Sequence, residues 1–317
     1  MNSTTISIEK AAEILKSRDN FTILSHANPD GDTVGCAHGL CRALHKMGKK
    51  ARIRCADSFS SRFSYMWEGM EFGDFPEETV ISVDVADAQL LGDLRGEYDG
   101  KVLLAIDHHV SHVDFQEYLC IEPHAAACAQ TVYKVIKAMG VELDSGIAAC
   151  LYTAIATDTG CFKFASVTPE THIIAAELMK YEFDFADINY VHFDLKTKER
   201  IAAEERIYRE IKYFLDGKCA IVVLPKDLFD SVDSEDANGF ADIPRRIEGV
   251  EVGATIKERK NGVWKVSMRS KSDVDVQKIC SEFGGGGHKN AAGCSFENLT
   301  PDAIIEKMMP VIEKAVN

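Results

Sequence analysis

No apolar stretch in this chain approaches the ~18–20 residues that a membrane-spanning helix needs, so the sequence predicts no transmembrane segment. The N-terminus, MNSTTISIEK, has neither a basic n-region nor an apolar h-region, and predicts no secretory leader. CxxC pairs are absent. The ten cysteines stand singly at 36, 41, 55, 120, 128, 150, 161, 219, 280 and 294, which excludes a zinc-knuckle pattern. Scattered through apolar segments, they read as free, mostly buried thiols in a reducing, cytoplasmic setting. Positive charge is scarce: 36 Lys and Arg face 50 Asp and Glu, a net charge of −14. That disfavours a protein that coats long nucleic acid with a basic face. A small anionic substrate held by local metal ions is compatible with it. No Walker A loop is present, because no GK[ST] follows a glycine loop at the required spacing.

What is present is an ordinary globular composition, 46% hydrophobic and 27% charged. At 317 residues the chain is long enough for about two domains. FTILS (21–25), ARIRC (51–55), TVISVD (79–84) and KVLLAID (101–107) are apolar runs of strand length. Helical spacing appears at 8–17, from about 33 to 47, at 129–139, at 146–157 and after Thr168-Pro169 to about 181. Nearly continuous apolar strands alternating with helices predict an α/β domain with a doubly wound, mostly parallel sheet. A charged amphipathic helix over 195–215 is a candidate linker or homodimer surface. Beyond Asp216-Gly217 the pattern changes to strands at 219–225, 251–258 and 263–270, with Asn261-Gly262 as a hairpin signal. A helix at 274–283, a glycine loop at 284–287, a strand at 293–296 and a helix at 301–316 complete a smaller C-terminal α/β domain. The expected division is 1–190 for the first domain, 191–216 for a helical linker and 217–317 for the second.

The apolar strands of the first domain end in chemistry. The first is followed by His26, Asp30 and Asp32, and the third by Asp84, with Asp87 a turn on. The fourth delivers Asp107, His108 and His109, and the 146–157 helix runs into Asp158. In open α/β sheets ligands bind beyond the carboxyl ends of the strands, so four segments bring acids and imidazoles to one edge. Crowded carboxylates repel unless cations neutralise them. Aspartates and histidines without thiolate favour Mn²⁺, with Mg²⁺ or Co²⁺ as substitutes. The ligand count exceeds one ion. Two ions ~3.5–4 Å apart would suit in-line phosphoryl displacement. In the second domain FGGGGHKNAAG (283–293) lets backbone N–H groups approach an anion, with His288, Lys289 and Arg269 adding charge.

HANPDGD, SVDVAD, IDHH and TDTGCF, in that order, resemble the four motifs of the DHH phosphoesterases. RSKSDVDVQKICSEFGGGGHKNAAG resembles the DHH-associated C-terminal substrate-binding domain. Within the family the resemblance is to stand-alone bifunctional oligoribonucleases that also act on 3′-phosphoadenosine 5′-phosphate. It implies two lobes with the active site in the cleft. It also implies that His26 and Asp30 hold one Mn²⁺, that Asp32, His108 and Asp158 hold the other, and that Asp84 bridges. Asp107 would orient a ligating histidine, and His109 would contact the scissile phosphate. Arg269, Gly285, Gly286, Gly287 and His288 would hold the substrate. The implied reaction is attack by a metal-bridging hydroxide on short RNA of two to five nucleotides, giving mononucleotides, or on the bisphosphate nucleotide, giving AMP. A cyclic-di-AMP or linear dinucleotide phosphodiesterase is the second reading. A non-enzymatic nucleotide sensor is the third, and the intact ligand set argues against it.

Overall fold

The structure, a computed structural model, describes residues 3–229, 239–259, 262–271 and 273–316. The chain divides into two compact units, Met1–Leu195 and Lys196–Asn317. Among the described residues, no helix is long and apolar enough to cross a membrane. All ten cysteines are free thiols, and eight of them are buried.

The first unit runs β1 (Thr4–Thr5), α1 (Ile8–Ser17), β2 (Phe21–Leu24), α2 (Gly31–Lys46), β3 (Ala51–Arg54), β4 (Thr79–Val83), α3 (Arg95–Tyr98), β5 (Val102–Asp107), β6 (Tyr118–Ile121), α4 (Cys128–Ala138), α5 (Ser145–Asp158), α6 (Pro169–Leu178) and α7 (Phe185–Asn189). The strands form one parallel sheet in the order β1-β6-β5-β4-β2-β3. The expected strands and long helices are all present. The sequence reading missed β1 and β6, which are short and lie at one edge.

Alternation along the strands covers both faces of this sheet. Phe21, Ile23, Ile81, Val83, Leu104 and Ile106 join a large core with α1, α2, α4 and α5. Leu24, Val80 and Val102 turn the other way, under Leu91, Leu94 and Tyr98. α5 is buried almost all round, and α2 lies against it along a stripe of glycines. A Cβ on Gly31 would stand 2.2 Å from Thr157 Oγ1, and one on Gly35 2.4 Å from the Cys150 carbonyl. Glycine at a spacing of four therefore lets two helix backbones approach, and this brings the start of α2 beside the end of α5. Because β3 and β4 flank β2 on opposite sides, the chain reverses direction across the sheet there. A crevice outside the carboxyl ends of the strands opens at such a reversal.

The second unit contains α8 (Lys198–Glu210), β7 (Lys212–Phe214), β8 (Cys219–Leu224), β9 (Val252–Glu258), β10 (Val263–Ser270), α9 (Val276–Ser281), β11 (Gly286–His288), β12 (Ala291–Glu297) and α10 (Pro301–Val316). Its mixed sheet has the order β11-β12-β10-β9-β8-β7. The charged helix expected over 195–215 is shorter. It stops at Glu210, and 212–214 form a strand pairing with β8. Ala203 and Ile207 of α8 are buried with Ala220, Val222 and Leu224 of β8. The glycine run is not wholly a loop: Gly286–His288 pair antiparallel with β12. β9 and β10 do pair antiparallel. Asn261 of the hairpin signal lies outside the described residues.

Candidate metal centre and active site

His26 and Asp30 sit in the turn that joins β2 to α2. Asp30 is the N-cap of α2, its Oδ1 accepting the backbone N–H groups of Asp32 (3.0 Å) and Thr33 (3.2 Å). A carboxylate is favoured there by the free N–H groups and dipole of the helix start. His26 places Nδ1 2.9 Å from the Ala27 carbonyl. A carbonyl only accepts, so that nitrogen carries the hydrogen and Nε2 keeps its lone pair for the cluster. Nε2 lies 3.5 Å from Asp30 Oδ1 and 3.7 Å from Asp84 Oδ2.

Asp84 follows the last residue of β4 with φ at +58°, while its N–H donates to the Ile106 carbonyl. An aspartate in the left-handed region is uncommon, and such strain collects at functional sites. The conformation places the buried carboxylate between two imidazoles, His26 and His108. Oδ1 is 3.6 Å from His108 Nε2 and is fully enclosed with no hydrogen-bond partner among the described residues. A buried acceptor left unsatisfied costs roughly 1–3 kcal/mol. A cation at this point would remove that cost, so the donor set fits a metal.

Asp32 is the second residue of α2, yet it serves another helix. Its Oδ2 accepts the N–H of Cys128 at 2.6 Å, and its Oδ1 that of Ala129 at 3.1 Å. Ala127, the N-cap of α4, has no side chain able to do this. Asp32 thus caps α4 across the core. Nothing in the linear sequence signals that role. His108 Nε2 lies 3.9 Å from Asp32 Oδ2 and 3.7 Å from Oδ2 of Asp158, the last residue of α5. Among the described residues four groups of donor atoms occur, the atoms of each within 4.8 Å of one another: two join Asp84 to His108 and His109 or to Asp107 and Cys128, and two match the expected ligand sets, His26, Asp30 and Asp84, and Asp32, His108 and Asp158. Each of the latter two could hold one divalent ion. Asp87 lies apart from these groups and caps the next turn through the N–H of Gln89.

The expectation for Asp107 needs a change of partner. Its carboxylate does not orient the ring of His108, whose Nδ1 is held 3.0 Å from the Ala125 carbonyl. Asp107 Oδ1 instead lies 2.8 Å from His109 Nδ1, and Oδ2 lies 2.5 Å from His112 Nδ1. His112 Nε2 is 3.2 Å from Gln116 Oε1, which also accepts the Phe115 N–H. The sequence reading missed His112 and Gln116. Their signal is a third histidine five residues after Asp107, in DHHVSH. The chain Gln116–His112–Asp107–His109 fixes a half-exposed imidazole beside Asp84, with its Nδ1 3.7 Å from Asp84 Oδ1.

The electrostatics follow from this crowding. Burial, then the charges of Asp158 and Asp30, push Asp32 well above the ordinary carboxylate range. Burial, then Asp32, does the same to Asp84, and burial first of all raises Asp158. Asp107 goes the other way. Burial opposes its ionisation, but hydrogen bonds from His109 and His112 hold it below the usual range. The Asp107 hydrogen bond raises His109. Divalent ions would reverse the penalty on Asp32 and Asp84.

In the second unit Arg269 lies on β10, with Nε 3.5 Å from Asp242 Oδ1. Register pairing sets Arg269 opposite Ala291, and Ala291 opposite His288, so the three form one row across three strands. Gly285 and Gly287 are demanded by close approach to β12. A Cβ on either would stand within 2.5 Å of a β12 carbonyl, Gly293 O for the first and Ala291 O for the second.

The family description of the DHH family, N-terminal domain, matches residues 20–155, and that of the DHHA1 domain matches 216–317. A curated relative from Thermus thermophilus, "Bifunctional oligoribonuclease and PAP phosphatase NrnA", is 32% identical over 310 residues, covering 96% of this chain and 92% of its own. The chain belongs to the DHH family of phosphoesterases. As a DHH phosphoesterase it is a hydrolase. A Streptococcus mutans protein named as a probable NrnA is 26% identical over 90% of this chain and 92% of its own. Among solved structures, an exopolyphosphatase-related protein from Bacteroides fragilis superposes with a TM-score of 0.83 at 24% identity, over 98% of this chain and 95% of its own. Exonuclease RecJ, solved bound to manganese, superposes with a TM-score of 0.52 at 12% identity, over 98% and 93% of the two chains. These two show the shared DHH fold.

Proposed function

We propose that this DHH phosphoesterase is a Mn²⁺-dependent enzyme. It would degrade RNA of two to five nucleotides to mononucleotides and convert 3′-phosphoadenosine 5′-phosphate to AMP. One observation carries the reading. Six imidazole and carboxylate groups, the buried Asp84 among them, converge in a chain similar along 96% of its length to a relative named for both activities. His26 and Asp30 would hold one ion, Asp32, His108 and Asp158 the other, and Asp84 both. Bound there, two ions supply Lewis-acid stabilisation of phosphoryl oxygens and a water acidified for attack. The protein's own groups do the rest. Asp107, braced by His112, would keep His109 aimed at the scissile phosphate, where its raised basicity lets it donate a hydrogen bond to developing charge. Arg269 and the segment Gly285 to His288 would grip the non-scissile part of the nucleotide. Gripping by a few local groups suits an acidic chain that acts on short substrates.

The test is a turnover comparison with Mn²⁺ at equal substrate concentration, using an RNA 3-mer, an RNA 24-mer, 3′-phosphoadenosine 5′-phosphate and cyclic-di-AMP. Rapid loss of the 3-mer and the bisphosphate, with the 24-mer spared, is expected. Preference for cyclic-di-AMP would overturn the reading and place the enzyme in second-messenger turnover.

A further inference from the structure

β10 is amphipathic in an unusual sense. Val266 and Met268 face the apolar core with Ala254, Ile256, Ala292 and Cys294. Lys265, Ser267 and Arg269 alternate onto the opposite face. Their partners in β12 there are Ser295, Gly293 and Ala291. The floor beside the cations is therefore nearly bare backbone. A groove of about 470 Å³ opens over it, walled by Arg259, Lys265 and Arg269 on one side and by the glycine run on the other. Arg269, at one end, is partly neutralised by Asp242. At the other end, Lys265 and Arg259 have no carboxylate within 4.0 Å among the described residues. Burial, then the charges of Arg259 and Lys265, depress the ammonium of neighbouring Lys257, which marks a region of positive potential. In an otherwise acidic chain, cations gathered over bare backbone in a concave groove are a site for anions.

Lys265 and Arg269 are four residues apart on one strand, roughly 13 Å at ~3.3 Å per residue. One phosphate cannot touch both ends. We propose that Lys265 and Arg259 form a second anion seat, taking a further phosphate of the same nucleotide substrate whose nearer part lies at Arg269. The seat deepens the proposed function and rests on it. It makes the enzyme a reader of phosphate count: with the scissile phosphate at the metal cluster and the neighbouring nucleoside at Arg269, a substrate bearing a further terminal phosphate fills the second seat, and a single phosphoester leaves it empty. The ligand class is a 5′-phosphorylated dinucleotide, a longer short oligonucleotide or a nucleoside bisphosphate.

The test uses the full-length, Mn²⁺-loaded enzyme with three substrates: a 5′-phosphorylated RNA dinucleotide, the same dinucleotide with a 5′-hydroxyl, and bis(p-nitrophenyl) phosphate. Lys265→Ala and Arg259→Ala should each lower the preference for the 5′-phosphorylated dinucleotide over its 5′-hydroxyl form about 10-fold, the scale of one lost charge-assisted hydrogen bond. The loss should lie in KM. Each variant should also reduce the slope of log KM against log salt by about one charge. Lys265→Arg should restore most of the preference, and Lys278→Ala, on an exposed position of α9, should change nothing. If the wild type discriminates between the two dinucleotides and both variants keep that ratio, the second seat is wrong and the proposed function stands. Equal loss on bis(p-nitrophenyl) phosphate would also overturn it, by showing general damage. If the wild type hydrolyses neither RNA dinucleotide, the underlying reading fails first.

Discussion

Asp84 shows how far single residues could be read. The sequence exposes it as an acid at the end of a strand. It does not show the left-handed backbone that swings the carboxylate between His26 and His108, or the orphaned Oδ1. The same holds for Asp32. Its carboxylate beside HANPD is legible, but its hydrogen bonds to Cys128 and Ala129 span nearly a hundred residues and no local pattern encodes them. Asp107 was legible as a supporting acid, whereas its partners were not, because which of three nearby imidazoles meets its carboxylate depends on the path of the turn. Two outcomes follow at this scale. Asp84→Asn and His108→Ala should each reduce turnover of every substrate by at least ~10²–10³-fold, the scale of removing one group from a preorganised charged site. Near-normal rates in either would refute the ligand assignment. His112→Ala should cost a milder ~10–100-fold, as removal of an outer partner does, and appear in kcat with KM little changed.

Among the elements, helices and central strands were visible because their apolar spacing is long and regular. What stayed hidden was short or contingent on tertiary pairing: β1, β6, β7 and the strand made from a glycine run. The glycine run is instructive. Its composition suggests a supple loop, yet Gly285 and Gly287 are glycine because β12 leaves no room for a Cβ. The stripe Gly31, Gly35 and Gly39 had a legible period of four, but its meaning needed α5 beside it. Gly35→Ala tests that contact. Its Cβ would meet the Cys150 carbonyl at 2.4 Å and Ala154 Cβ at 2.8 Å. The helices must part, at a cost of about 1–3 kcal/mol as for other overpacked cores. A fall in Tm is expected, together with weaker Mn²⁺ binding by calorimetry, since Asp30 and Asp158 move apart. A fall in Tm alone would show that α2 and α5 do not set the metal geometry.

For the whole molecule, the pH dependence of stability should differ with and without divalent ions. Without them, Asp32, Asp84 and Asp158 hold protons more tightly in the fold than in the unfolded chain, and so do His26 and His109. Their contribution is complete below each group's ordinary pKa, carboxylate or imidazole, and is lost as pH climbs through the raised values. Asp30 and Asp107, both lowered, contribute above the ordinary carboxylate range and lose that contribution only in stronger acid. Thermal denaturation in EDTA should therefore show Tm falling from about pH 6 to 8.5. With Mn²⁺, deprotonated ligands bind better as pH rises, so the gap between the two curves should widen. Parallel curves would remove the metal from the cluster. The sequence pattern changes past Asp216, whereas the two compact units divide between Leu195 and Lys196. That α8 buries Ala203 and Ile207 with β8 was not legible, since charge dominates its sequence. The cap that Asp32 provides across the core has a last consequence, for abundance. One carboxylate secures α4 and belongs to the proposed cation site, so an ion lost from there would leave a crowded, buried acid at a structural joint that costs the fold more as pH rises. Chains that open more often are degraded faster. A cell starved of the ion would then shed this protein instead of storing it idle, and the level of the chain itself would report the metal supply.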